Sequence, residues 1–304
     1  MDTADRDLIA AMELFRKENF LSYAEVASNC GMSATTLSQI LAGTYQGDTQ
    51  KYINAMRNWL KPLIDPTTLD IVQTETFSAL VNYYDDARAT HSIYCIMGKS
   101  GFGKTVSARY FSRTRLRAHW VSGRVNMGAK NLLDEITRTA KIKATLRSTV
   151  YDLQNAIIEH MKTRSTLIIV DEADKLNIKA LDALREIYDA VNIGLVLIGE
   201  PSLEYKLKTP DRTTGISLAR LYSRIDEFVD VSDISSADVH LFLKMHGIGE
   251  IKKDAFNYIL QSVNKIGGYR RLVKMIHRLR ANIALSGGVL TQDVVIDTLA
   301  KFPA

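Results

Sequence analysis

The chain has 304 residues, a net charge of +5 and 46% hydrophobic residues, the balance of an ordinary globular protein with room for two domains, or three if one is small. No apolar run approaches the roughly 20 residues needed to cross a bilayer. The amino terminus, MDTADRDLIA, lacks the basic start and apolar stretch of a signal peptide, so a cytoplasmic protein with no membrane partner is expected. Cys30 and Cys95 are far apart in apolar surroundings and predict buried free thiols rather than a disulfide or a metal site.

Residues 1–62 read as a small all-α domain. Leu8, Met12 and Phe15 recur at helical spacing. In the next stretch, SYAEVASNCGMSATTLSQILAG, Gly31 is placed as a turn glycine. Val26 and Ala27 then face inward before it, Ser33 caps a second helix, and Leu37 and Ile40 hold that helix against the first. This is a helix-turn-helix pattern. Its second helix, about Ala34 to Leu41, would turn Thr35, Thr36, Ser38 and Gln39 outward, where they could hydrogen-bond in a major groove. The same spacing also builds helical hairpins that touch no DNA.

Trp59 to Pro66, with two prolines and a change of pattern, reads as a connection, and the linker is drawn at 63–75. From Ser92 the text alternates apolar strands with helices, the signature of an α/β parallel sheet with crossover helices; this core is drawn at 76–231. HSIYCIMG, TLIIV and GLVLIG are its clearest buried strands. After about residue 232 only helices remain, and 232–304 reads as a helical lid.

Directly after the first strand, GKSGFGKT runs from Gly98 to Thr105 and opens a helix. A loop that curls around a polyphosphate needs its N–H groups pointing inward, which side chains at Gly98, Gly101 and Gly103 would obstruct. Lys104 then reaches the β and γ phosphates, Thr105 places a hydroxyl on Mg²⁺, and Ser100 within the loop and Val106 just after it are further candidates for nucleotide contact. Asp171, at the end of LIIV, is placed to hold the magnesium shell, and Glu172 to polarise the attacking water. A DEAD-like tetrapeptide alone would be a moderate signal; with the phosphate loop upstream it points to an ATPase using ATP and Mg²⁺.

Two arginine clusters complete the reading. LARLYSRI ends a helix with Arg220 and Arg224, either of which could be donated to a neighbour's γ phosphate; Arg224 is favoured, against a surface salt bridge. GGYRRL places Arg270, favoured over Arg271, at a helix start where it could fold onto the nucleotide. Glu200 follows the GLVLIG strand, where a polar water-positioning residue is expected.

Taken in order, these segments resemble the AAA+ ATPases, and among them the MuB-like target-capture ATPases of transposing phages. The likeness rests on the helix-turn-helix, IVQTET from Ile71 to Thr76, GKSGFGKT, LIIVDEAD, GLVLIG, LARLYSRI and GGYRRL. It implies an ATPase acting in a bacterial host cell, whose subunits self-assemble as a helical filament on double-stranded DNA and recruit a DDE transposase. It also implies that Val72 and Thr74 lie against the adenine. Residues 99–165 hold ten net positive charges, twice the whole-chain value. In related ATPases this region lines the inside of the spiral, which makes Lys130, Lys141, Lys143 and Arg147 candidates for sequence-independent phosphate contact. Two alternatives stay open: a helicase loader or replication initiator, and a helix-turn-helix repressor switched by ATP.

Overall fold

The computed structural model describes residues 3–19, 21–64, 71–143, 145, 147–162, 165–210, 217–248, 251–286 and 292–300. Two compact units divide it. The first takes the described residues up to Ile71 together with Tyr110–Leu116; the second takes the rest.

In the first unit, α1 (Thr3–Glu18), α2 (Tyr23–Asn29), α3 (Ala34–Leu41) and α4 (Thr49–Ile64) enclose a core of Met12, Phe15, Val26, Leu37, Ile40, Ile53, Met56 and Leu60. Local signals set its joints. Ser22 and Glu25 cap α2 reciprocally, and the Ser33 hydroxyl accepts the Thr36 N–H at the start of α3. Gly31, with φ +67°, makes the turn between them in the left-handed region that favours glycine. Phe15 meets Trp59 edge-on at 5.6 Å. The stretch read as a connection from Trp59 is therefore helical as far as Ile64, with Pro62 in the last turn of α4; residues 65–70 lie outside the described residues. Cys30 and Cys95 are both buried free thiols.

The second unit is built on a five-stranded parallel sheet ordered β2-β3-β4-β1-β5, from β1 (Ile93–Met97), β2 (Ala118–Ser122), β3 (Leu167–Asp171), β4 (Gly194–Gly199) and β5 (Ile225–Asp230). Around it run α5 (Glu75–Thr90), the part of α6 (Lys104–Thr114) up to Arg109, α7 (Ala129–Thr139), α8 (Val150–Met161), α9 (Ile178–Ala190), α10 (Ser202–Lys208) and the short α11 (Ala219–Tyr222). β3 and β4 are buried at every position because a parallel sheet is covered on both faces. β5, IDEFVD, lies at an edge with half of its residues exposed; its acidic text concealed it from a hydrophobicity reading.

The lid follows in the same unit as α12 (Ser236–Met245), α13 (Lys253–Lys265), α14 (Gly268–Ser286) and α15 (Gln292–Ala300). Residues 249–250, 287–291 and 301–304 of the predicted lid lie outside the described residues. No helix among the described residues is long and apolar enough to cross a membrane.

Candidate nucleotide site

The phosphate loop leaves the carboxyl end of β1, and the acidic pair ends β3, two strands away across β4. At a strand spacing of about 4.8 Å the site therefore spans roughly 10 Å, at the strand ends where open α/β sheets hold their ligands. Backbone crowding explains two glycines. A Cβ on Gly98 would stand 2.1 Å from the Val231 carbonyl oxygen, and one on Gly101 would stand 2.2 Å from that of Gly267. Gly98 and Gly103 take φ +157° and +88°. Gly98 is further tied by its N–H to the Gly199 carbonyl at 3.2 Å.

Lys104 is only 9% exposed, and its Nζ donates to the carbonyls of Gly98 at 2.6 Å and Lys99 at 2.8 Å. Burial lowers its pKa, against the opposing pull of Asp171, Glu200, Asp174 and Asp230. The start of α6 rests on a buried pair that sequence spacing gave no sign of: the Ser107 hydroxyl donates to the Lys104 carbonyl at 2.8 Å and lies 3.0 Å from the Tyr84 hydroxyl. Ser100 is exposed and Val106 is exposed on the first turn of α6.

Asp171 is 3% exposed. Burial raises its pKa, while hydrogen bonds from the Thr105 hydroxyl and the Glu172 N–H act in the opposite direction. Glu172 adopts φ 54°, ψ 38°, and its carboxylate meets Lys175 Nζ at 2.7 Å. Glu200 is exposed beyond β4, its N–H donating to Asp174 Oδ1 at 3.2 Å.

The lid meets the loop after β1 through backbone. Tyr269 N donates to the Gly101 carbonyl at 2.8 Å, and Arg270 Nη1 lies 3.4 Å from Ser100 Oγ. Tyr269 also donates its hydroxyl to Asp238, which is 1% exposed, and approaches Thr76 Oγ1 at 3.0 Å. Asp238 accepts the Glu75 N–H at 2.8 Å. The segment proposed to lie against adenine thus shares one polar cluster with the lid: Thr74 caps α5 and bonds to the Val72 carbonyl at 3.0 Å. Neither Asp238 nor Tyr269 was distinguishable in the sequence, because their partners are more than thirty residues away or more than a hundred and fifty.

Arg224 stands elsewhere. It immediately precedes β5, whose first residue pairs with Ile93 at the amino end of β1, so one strand length separates it from its own phosphate loop. Its guanidinium donates to Asp189 and to the Arg220 carbonyl. Arg220 is exposed.

Lys130 is exposed in the first turn of α7, and Lys141, Lys143 and Arg147 are exposed in the connection from α7 to α8. On α3, Thr35, Ser38 and Gln39 are exposed. Thr36 differs, being half-buried with its hydroxyl 2.8 Å from that of Ser33, engaged in the cap rather than turned outward.

Residues 87–207 match the AAA domain family. The chain is 25% identical over 293 residues to the ATP-dependent target DNA activator B of Escherichia phage Mu, covering 93% of this chain and 90% of that one. To the Mu-like prophage FluMu DNA transposition protein B of Haemophilus influenzae it is 24% identical over 285 residues, covering 90% and 96% respectively. The fold is similar to that in the crystal structure of NtrX from Brucella abortus in complex with ATP, at a TM-score of 0.51 and 15% identity, covering 86% of this chain and 67% of that chain. The MuB-like resemblance carried by the motifs thus extends along nearly the whole chain.

Proposed function

We propose that this chain is a Mg²⁺-dependent ATPase that assembles with copies of itself along duplex DNA and presents that DNA to a DDE transposase. One observation carries the self-assembly: the phosphate loop, the acidic pair and the lid arginine gather at the carboxyl ends of the strands, whereas Arg224 sits at the amino end of the edge strand β5. A guanidinium so placed serves a neighbouring subunit's nucleotide rather than its own. The kind of DNA transaction is carried over from the phage relatives.

Within one subunit, Lys104 would exchange the Gly98 and Lys99 carbonyls for phosphate oxygens, and Arg270 would approach from the lid. Thr105 and Asp171 suit magnesium: a buried carboxylate hydrogen-bonded to a hydroxyl is a hard oxygen pair in need of a cation. Among the described residues no three His, Cys, Asp or Glu side chains converge, so phosphate oxygens and water would complete the shell. The ion, when bound, neutralises charge on the β and γ oxygens. Glu172 would accept the proton of the attacking water. Lys130, Lys141, Lys143 and Arg147 would meet DNA phosphates, with Thr35, Ser38 and Gln39 as a separate contact on α3.

Electron microscopy with long duplex DNA, with and without a slowly hydrolysed ATP analogue, tests the reading. Nucleotide-dependent filaments, lost in Lys104→Ala, are expected. Closed hexamers would favour a loader, and discrete dimers with marked sequence preference a repressor; either outcome overturns the proposal.

A further inference from the structure

Glu172 and Glu200 pose one problem together. The carboxylate read as water-polarising is already engaged, and the polar residue that follows β4 is a second acid. Lys175 lies between these facts. Its Nζ is 2.7 Å from Glu172 Oε1, and its backbone N–H donates to the Glu172 carbonyl at 3.0 Å, closing the single 3₁₀ turn Ala173–Lys175.

That turn is held from outside. Lys206 Nζ donates to the Asp174 carbonyl and, at 2.9 Å, to that of Leu176, while Asp174 Oδ1 accepts the Glu200 N–H at 3.2 Å. The backbone around Lys175 is therefore braced against α10 and the end of β4, and what remains adjustable is its side chain. Glu172, Asp174 and Glu200 all act on the Lys175 ammonium, with Glu172 first. The carboxylates that act on Lys104, the ammonium that marks the phosphate site, are Asp171, Glu200, Asp174 and Asp230.

We infer that Lys175 is a positioning residue that draws the Glu172 carboxylate aside in the resting subunit and releases it by moving to Glu200. The inference rests on the ATPase reading above. The ion pair is 38% exposed on the lysine side and 45% on the glutamate side, so it is weak enough to exchange. Glu200 is tied to the same turn, its N–H bonded to the side chain of Asp174 beside Lys175, so the second carboxylate belongs to a residue anchored on the braced turn. Glu200 thereby gains a role as the acceptor of the displaced lysine rather than as a water-positioning group, and Glu172 is freed only when the lysine has somewhere to go.

The test has two arms on the full chain. In the first, Lys175→Met should raise basal kcat for ATP several-fold with KM unchanged and diminish further stimulation by duplex DNA, while Lys175→Arg restores the unsubstituted behaviour. In the second, without nucleotide, acylation by an amine-reactive reagent is read by mass spectrometry. Glu172→Gln should raise Lys175 labelling several-fold relative to exposed Lys179 in the same sample. A fall in kcat on Lys175→Met, or Lys175 labelling indifferent to Glu172→Gln, would overturn the inference. If the unsubstituted protein turns over no ATP, the ATPase reading fails by itself, and the labelling arm still decides whether Lys175 holds Glu172.

Discussion

The two ends of the sheet are built on opposite principles. At the carboxyl end, Lys104, Asp171 and Asp238 are each nine-tenths buried or more, and their hydrogen bonds come largely from backbone. At the amino end of β5, Arg224 is a third exposed and is held by a surface carboxylate, Asp189, which also receives Arg185. Buried polar groups are costly unless fully satisfied, so the first arrangement is rigid and self-contained. An exposed ion pair contributes roughly 0–1 kcal/mol, so the second is easily surrendered to a stronger anion. On the proposed reading, the buried end receives the triphosphate and the exposed arginine is the one offered to a neighbouring subunit.

The sharpest way to break this contrast is Arg224→Ala. If the guanidinium acts across a subunit boundary, DNA-stimulated kcat should fall about 10³-fold or more, while ATP affinity of the isolated subunit stays unchanged. Mixing Arg224→Ala subunits with Glu172→Gln subunits, which keep Lys104 for nucleotide binding, should restore part of the turnover, since each supplies what the other lacks; no recovery over any mixing ratio would place the arginine's role within its own chain.

A smaller effect is expected at the buried end from Tyr269→Phe, which keeps the ring against Phe242 and removes only the hydroxyl shared by Asp238 and Thr76. The loss should cost about 1–2 kcal/mol of stability and weaken ATP binding by roughly tenfold as the adenine-side segment and lid lose their common anchor. Thermal melts with and without ATP separate the two: the ATP-induced rise in Tm should shrink more than the melting temperature without nucleotide. The smallest effect concerns the exposed lysines and arginine between α7 and α8. Lys141→Ala, Lys143→Ala and Arg147→Ala combined should weaken duplex binding and lower the slope of affinity against salt by about one per phosphate contact removed. An unchanged slope across a salt series would remove these residues from the interface.

How much of this was visible beforehand depends on how local the cause is. The capped helices α2 and α3, the glycine turn between them, and the phosphate loop were legible because each is specified within a few residues, by a hydroxyl three positions from an N–H or by a glycine whose φ no other residue takes readily. The central strands were legible because burial on both faces demands continuous apolar text. β5 was not, since an edge strand tolerates acids, and neither was the helical end of α4, where the prolines suggested a break.

The amino-acid order by itself determined the chemical inventory: a glycine loop, one lysine, an acidic pair and two arginine clusters, each in a recognisable local setting. Only the tertiary structure decided their company. The Asp238–Tyr269 anchor, the seat of Arg224 on Asp189, and the hold of Lys206 on the turn behind Glu172 all join positions thirty or more residues apart. Such pairings depend on strand order and lid placement, and neither is written in any short window of the chain.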